Sequence, residues 1–477
     1  MYTMVHAMRS NRALVLSLAM AATAAAVAAA EPSAPYQVQG LDIYRHIIAF
    51  KTEVGRHQVP VMARYLVDQF RAAGFAEQDI HVLPLGETAS LIVRYRGNGT
   101  GGKPILAMAH MDVVTAKPED WQRDPFTLTQ EGGYFLGRGT LDVKVGVACI
   151  TETFLRLKAE GFVPTRDLIL VFTGDEETSQ NTTVDLAHRH RDLIDADYAL
   201  NSDAGGGTLD EGDGHAIVYG LQNAEKAYAS YELTVRNPGG HSSLPRADNA
   251  IFELADTLEK LRSFRFPVMW NDSTREYFRV VGARTPGELG AAMSRFAVNP
   301  QDRAADDTLN ADANYVGVTR TTCVPTLLRG GHADNALPQS ATVTMNCRIY
   351  PGVAPEKIQA ALQSVVGPKV EIKLAYPVIS GPSSPIRPDV LAAVTATVHS
   401  LYPDVPVVPK QESGASDGSV FRSVGIPTYG VSEVFLKDSD DFAHGLNERL
   451  PVKSFYDGLE FWYVLLKHVA APKPPAG

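Results

Sequence analysis

Five short segments of this sequence place oxygen and nitrogen side chains at abrupt turns: His110 and Asp112 in HMDVV, Asp142 in GRGTLDVKVG, Glu176 and Glu177 in TGDEET, Asp203 in NSDAGGG, and His444 in FAHGLNERL. In an extended strand, residues two apart point to one face, so one of His110 and Asp112 can bind a metal while the other steers it. Glu176 and Glu177 follow the apolar run Leu168 to Thr173, and neighbours on a turn can do different jobs. Taken singly, each segment has a plainer reading: a solvated turn, an exposed helix start, or an N-cap after a strand. Five together, each after a strand-like run or in a Gly-rich turn, read as a two-metal hydrolase centre.

The elements that must position these residues alternate between strand and helix up to about residue 220. Pro60 to Gly74 reads as a helix with proline near its first turn and a glycine stop. Val143 to Gly161 reads as a second, bracketed by strands Ile105 to Ala109 and Leu168 to Thr173. That βαβ arrangement predicts an α/β fold with a mostly parallel sheet and ligands at the carboxyl ends of its strands. From about Glu225 the style changes. Ala227 to Val235 alternates as a strand, a helix follows with Ile251, Leu254, Leu258 and Leu261 on one face, and strand runs Cys323 to Leu328 and Ala341 to Ile349 precede Pro351. This reads as an inserted α+β unit over 224–350, between catalytic parts at 31–223 and 351–477. Its middle, 264–321, carries no motif; extra helices that shape a pocket or a dimer contact are the expectation there.

The order of the ligand segments and the residues around them, from about His110 to the C-terminus, resemble the co-catalytic zinc peptidase family that includes glutamate carboxypeptidase, aminoacylase, carnosine dipeptidase and succinyl-diaminopimelate desuccinylase. The resemblance implies that Asp142 bridges two metal ions, with Glu177 and His444 on one and His110 and Asp203 on the other. It leaves Glu176 as general base toward the attacking water, and has Asp112 hydrogen-bond the second nitrogen of His110 and fix its tautomer. It also implies a cis peptide between Asp142 and Val143. Imidazole and carboxylate donors suit two Zn²⁺ per chain, with Mn²⁺ or Co²⁺ as other occupants, and a shared carboxylate suits ions roughly 3.5–4 Å apart. Val145 stands where family members commonly have glycine, a change of packing in a first helical turn.

In the family the inserted unit is a lid and dimerisation domain, and three of its residues gain roles by the resemblance. His241 in PGGHSS matches a histidine that reaches across a homodimer to stabilise the oxyanion. Asn335 in GGHADNALPQSA matches an amide that holds the oxyanion or substrate carboxylate. Arg348 in NCRIYPG matches an arginine that pairs with the substrate's terminal carboxylate. The plain competitors are a surface turn for His241 and a salt-bridged strand arginine for Arg348. Beyond the lid, SGASDGSVF resembles a family turn in which Gly414 lets a backbone N–H approach substrate, while Ser416 or Asp417 can simply cap the helix.

The rest of the sequence narrows the setting. The 477 residues are too many for one ordinary core, and a formal charge of −10 excludes a basic nucleic-acid footprint. Arg9 and Arg12 precede an Ala-rich apolar run that closes with Ala28, Ala29 and Ala30, which reads as a cleaved secretory signal over 1–30. Such a run is a weak bilayer span and no basic stop-transfer cluster follows it, so export to a periplasm or the medium is expected, without a stable membrane anchor. Cys149, Cys323 and Cys347 are too few for a disulfide scaffold. Cys323 and Cys347 can face each other across a hairpin centred near Asn335; two small buried side chains are the expectation, with a bond open to them in an oxidising compartment. The sequence therefore predicts an exported, dimeric di-zinc amidohydrolase acting on a peptide or N-acyl amino acid beside a free carboxylate. An exopeptidase or dipeptidase comes first and an aminoacylase second. A binding protein on a dead hydrolase scaffold is the reading from another class, opposed by the intact Glu176 and all five ligands.

Overall fold

Leu168–Thr173 and Ile105–His110 are unbroken apolar runs because both faces of their sheet are covered. The computed structural model, which describes residues 33–471, sets them side by side and parallel, so the expected leader over 1–30 lies outside the described residues. Tyr198–Asn201 and then Thr428–Gly430 continue the parallel centre. The hairpin Ile80–Leu85 and Thr88–Tyr95 closes one side in antiparallel register. On the other side lie Ala216–Glu225, Gly206–Leu209 and Phe435–Leu436, with Val407–Glu412 paired in parallel to Ala216–Glu225, to make ten strands.

Alternate residues of the central strands feed two cores. Ala107, Ala109, Leu170 and Phe172 meet the helices Pro35–Ala49, Val59–Ala72, Lys144–Ala159 and Val452–Ala470. Leu106, Met108, Ile169 and Val171 face Leu186, Ile194, Phe421 and Ile426. Val145 is fully buried in the first of these cores, in the helix turn where packing was expected of it. Among the described residues no helix is long and apolar enough to cross a membrane.

The second unit is a four-stranded antiparallel sheet in the order Thr322–Gly330, Ser340–Ile349, Ala227–Arg236, Glu371–Leu374. The helices Ala250–Ser263 and Pro355–Val366 cover one face of it, through Leu254, Ile358, Leu362 and Val366. Its last helix and strand lie past residue 350, so the unit runs on to about 374; Pro351 is a turn inside it, and proline there is no boundary mark. Cys323 and Cys347 are opposite each other in this sheet and are joined as a cystine, against the expectation of two unbonded side chains.

Residues 264–321 hold the expected extra helices but depart from expectation in where they pack. The helices Asp272–Gly282, Gly287–Val298 and Arg303–Ala311 build a separate core whose Phe278, Met293, Phe296 and Leu309 pack with Val218 and Val408 of the large sheet. The segment thus leaves the lid, covers the far flank of the catalytic sheet, and returns.

Candidate active site

Each candidate ligand sits where a central strand or an adjoining loop stops. His110 ends its strand, Glu176 and Glu177 follow Thr173, and Asp203 follows Asn201. Asp142 precedes the helix Lys144–Ala159, and its bond to Val143 is cis, as the resemblance implies. Gly146 explains one glycine of that motif: a Cβ there would fall 2.0 Å from Ser202 Oγ, so only glycine lets the helix start lie against the Asp203 loop.

The side chains converge on Asp142. Its Oδ1 lies 3.1 Å from His110 Nε2, and its Oδ2 lies 3.0 Å from His444 Nε2. His110 Nε2 is also 3.6 Å from Asp203, and His444 Nε2 is 3.0 Å from Glu177. Two groups result, His110 with Asp142 and Asp203, and Asp142 with Glu177 and His444, and in each the donor atoms lie within 4.8 Å of one another. His110 is 1% exposed and His444 is 55% exposed at the side chain, so the cluster is open on the His444 side.

The electrostatics suit cations between these donors. Burial, helped by the Asp142 and Glu177 charges and opposed by His110, drives the Asp203 carboxyl up to about 7, and burial with Asp203 beside it drives the Glu176 carboxyl up as well. Burial works against the His110 cation, but Asp203, Asp112 and Asp142 outweigh it and hold its pKa well above the usual value. Hydrogen bonds to Asp142 and Glu177 raise His444 to about 10. The protein's own donors thus place several buried acids around two imidazoles, a set that metal charge would neutralise, and the nitrogen and oxygen donors match zinc ligation.

Glu176 stands apart from both groups. Among the described residues no histidine lies within ion-pair distance of it, and its Oε1 accepts a hydrogen bond from Gln180 Nε2 at 3.2 Å. Its loop is fixed from two sides. The Asp112 carboxylate accepts the backbone N–H groups of Glu176 and Glu177 at 3.1 and 3.0 Å. Asp175 accepts those of Asn181 and Thr182 at 2.8 and 2.9 Å. For His110 the expected Asp112 contact is shared: Nδ1 is 3.0 Å from the main-chain carbonyl of Asp112 and 3.5 Å from its carboxylate. The carboxylate points to the glutamate loop, where two N–H donors satisfy it better than one imidazole would.

A second buried pair was not legible beforehand. Glu448 is fully buried, and its Oε1 accepts the N–H groups of Leu141 and Asp142 at 2.7 and 3.0 Å. Its Oε2 accepts from Gly139 N at 3.1 Å and from Arg138. Arg138 lies over the Trp121 ring and donates to the carbonyls of His444 and Gly445 at 3.2 Å each. His444 has a left-handed φ of 62°, unusual for a residue with a Cβ, and its carbonyl is held in that turn by Arg138. Sequence spacing offered only one hint, that Glu448 follows His444 at a distance of one helical turn in a segment that is not a helix.

The remaining candidates lie elsewhere. Gly240 and His241 pair with Leu337 and Ala336, which brings His241 beside Asn335 at an exposed hairpin end of the lid. Ser243 Oγ is 2.8 Å from His241 Nδ1, and among the described residues neither His241 nor Asn335 bonds to the carboxylate cluster. Among the described residues Arg348 has no salt bridge, against its plain reading; its guanidinium lies 4.7 Å from the centre of the Tyr228 ring. Gly414 is exposed, and a Cβ there would meet nothing within 4 Å, so packing does not require a glycine. Ser416 Oγ accepts the Gly418 N–H at 3.1 Å, whereas Asp417 makes no cap and accepts from Thr173 and Thr183 beneath the site at 2.5 and 2.6 Å.

Residues 106–468 match the Peptidase family M20/M25/M40. The chain is 26% identical over 393 residues to the N-fatty-acyl-amino acid synthase/hydrolase PM20D1 of Xenopus tropicalis, covering 80% of this chain and 75% of that protein. It is 27% identical over 391 residues to the probable carboxypeptidase S-like 2 of Dictyostelium discoideum, with 80% and 74% covered. Its fold is similar to that of the metallo-carboxypeptidase Sso-CP2 of Sulfolobus solfataricus, with a TM-score of 0.69 at 17% identity over 91% of this chain and 99% of that one.

Proposed function

We propose that this chain, which belongs to peptidase family M20/M25/M40, is an exported, homodimeric di-zinc amidohydrolase that cleaves a peptide or N-acyl amino-acid bond beside a free carboxylate. Carboxypeptidase or dipeptidase action is the first reading. The observation that carries it is the pair of three-residue groups sharing Asp142. A single carboxylate between two histidines, each with a further carboxylate, is what a bridged pair of cations needs.

When bound, the cations would polarise the scissile carbonyl and acidify the attacking water. Glu176 does the proton work: its carboxylate takes the water's proton and returns it to the leaving nitrogen, while Asp112 holds the two backbone amides that aim it. His110, Asp142, Asp203, Glu177 and His444 would hold the cations. Arg348 offers its unpaired guanidinium to the substrate carboxylate. Gly414 leaves room for the substrate backbone. His241, with Asn335 beside it, serves the oxyanion in a second copy of the chain.

The dimer reading draws on the lid's edge strand, where Val324, Leu327 and Leu328 are 55–67% exposed, and on Ile251 and Phe252 of the neighbouring helix, 48% and 65% exposed. An apolar, unpaired sheet edge of this kind is covered in a soluble protein, and a second copy can cover it by symmetry. Export is consistent with the cystine between Cys323 and Cys347. The similarity to an N-fatty-acyl-amino acid synthase/hydrolase favours the second reading, hydrolysis of an N-acyl amino acid at the same site.

Metal analysis with paired substrate panels tests the proposal. The purified protein should hold about two zinc ions, lose activity to a chelator and regain it with zinc, and hydrolyse dipeptides or N-acetyl amino acids. Binding of fewer than one ion together with inertness toward both panels would overturn it.

A further inference from the structure

We infer that Tyr228 and Tyr376 form the subsite for the side chain of the residue bearing the substrate's free carboxylate, and that this side chain is aromatic or large and apolar. The inference rests on the reading of Arg348 as carboxylate anchor.

Tyr228 lies directly across the lid sheet from Arg348, and its ring carries the guanidinium on one face. Tyr376 stacks on Tyr228 with ring centres 6.2 Å apart and planes 8° from parallel. Both tyrosines are 43% exposed, although they sit on a sheet face that could have been polar throughout. Their position is fixed from below: Tyr376 donates to Ser230 Oγ at 2.9 Å, and Asn346 Nδ2 donates to the same oxygen at 3.2 Å. Two rings held open by a hydrogen-bonded support form a platform for a flat or bulky apolar group.

Charge places an anion beside that platform. Among the described residues no carboxylate pairs with Arg348. Thr322, which is opposite Arg348 in the sheet, accepts a hydrogen bond from the buried Lys226, whose other contact is the Arg320 carbonyl. Burial and the nearby Arg348 and Arg320 guanidinium groups lower the Lys226 ammonium to about 7, so Arg348 is the fixed cation of this corner, and among the described residues no carboxylate offsets it. An α-carboxylate on Arg348 sets the adjoining side chain against the tyrosines, which is how one residue offers both groups at once.

The test compares kcat/KM for N-acetyl-phenylalanine with N-acetyl-alanine, and for Gly-Phe with Gly-Ala, on zinc-loaded wild type, Tyr376→Ala and Tyr376→Phe. The wild type should favour phenylalanine by about 10- to 100-fold, the range set by burying one large apolar side chain. Tyr376→Ala should cut that ratio to about 3-fold or less, chiefly through slower turnover of the phenylalanine substrates, and Tyr376→Phe should keep it. A ratio is insensitive to general damage to the fold. If neither pair is turned over, the same ratio is read from calorimetric binding of N-acetyl-phenylalanine and N-acetyl-alanine. No preference in the wild type, or a preference that survives Tyr376→Ala, overturns the subsite. Failure of the anchor shows separately, as equal kcat/KM for free acids and their amides.

Discussion

Glu448 accepts the main-chain N–H of Asp142 at 3.0 Å although the two residues are 306 positions apart. Through Arg138 the same carboxylate also reaches the carbonyl of His444, so the loop of the shared ligand and the loop of an outer ligand hang on one buried ion pair. Glu448→Gln keeps the shape but turns an NH₂ toward donors, leaving N–H groups facing N–H groups. Zinc affinity should fall by about 10- to 100-fold, the range for lost supports of metal ligands, and stability should fall by about 3–5 kcal/mol, the range for a broken buried pair. Zinc titration and thermal unfolding of the variant measure both; unchanged zinc affinity would leave Glu448 a purely structural residue.

The adjacent glutamates should separate cleanly. Glu176→Gln should lower kcat by at least about 10²-fold with metal content near that of the wild type, because it removes a proton acceptor and no ligand. Glu177→Gln should lose one ion, since Glu177 belongs to one of the two donor groups. Equal metal loss in both variants would refute the division of labour.

His241 is exposed and makes no hydrogen bond or ion pair to the carboxylate cluster among the described residues of its own chain. On the proposed dimer, a His241→Ala chain and a Glu176→Gln chain, each nearly inactive, should regain activity on mixing, because a heterodimer would contain one whole site. Mixed-chain assays with subunit exchange followed by mass spectrometry decide this. Exchange without recovery would put His241 outside the chemistry.

Amidating the substrate carboxylate should cost roughly 2–5 kcal/mol, or about 30-fold to several thousand-fold in kcat/KM, because the Arg348 guanidinium loses its anion. Arg348→Ala should weaken free acids by a similar order and narrow their advantage over amides, a cycle in which unrelated damage cancels. Wild-type rates that ignore amidation would point to an endopeptidase or a broad amidase instead.

The candidate cluster was legible because His110, Glu176, Glu177 and Asp203 sit at or just past strand ends, written in the sequence as apolar runs broken by Gly, Asp or His, while Asp142 and His444 sit in Gly-marked turns. Leu168–Thr173 and Ile105–His110 fall within a residue of expectation for that reason. What sequence spacing does not carry is pairing at long range. Nothing around Glu448 announces that it will accept the amides of Leu141 and Asp142, and nothing around Asp112 announces that its carboxylate faces the glutamate loop. The lid boundary failed for a related reason: Glu371–Leu374 is too short a strand to show a pattern, and only its pairing with Ala227–Arg236 reveals where it belongs. The cystine was missed because two cysteines 24 residues apart read as a buried pair at least as readily as a bonded one, until the sheet register sets them opposite.

The excursion of residues 264–321 onto the large sheet alters the mechanics of the lid. Had the lid been a simple insertion, two covalent links would join it to the rest, and it could swing about either. Here the chain crosses four times: after Glu225, between Ser263 and Asp272, between Ala311 and Thr322, and after Leu374. A plate tied at four points has few free axes. Any opening that admits substrate must rotate about a line close to all four links, so the travel is largest at the far hairpin carrying His241 and Asn335 and smallest at the corner holding Lys226 and Thr322.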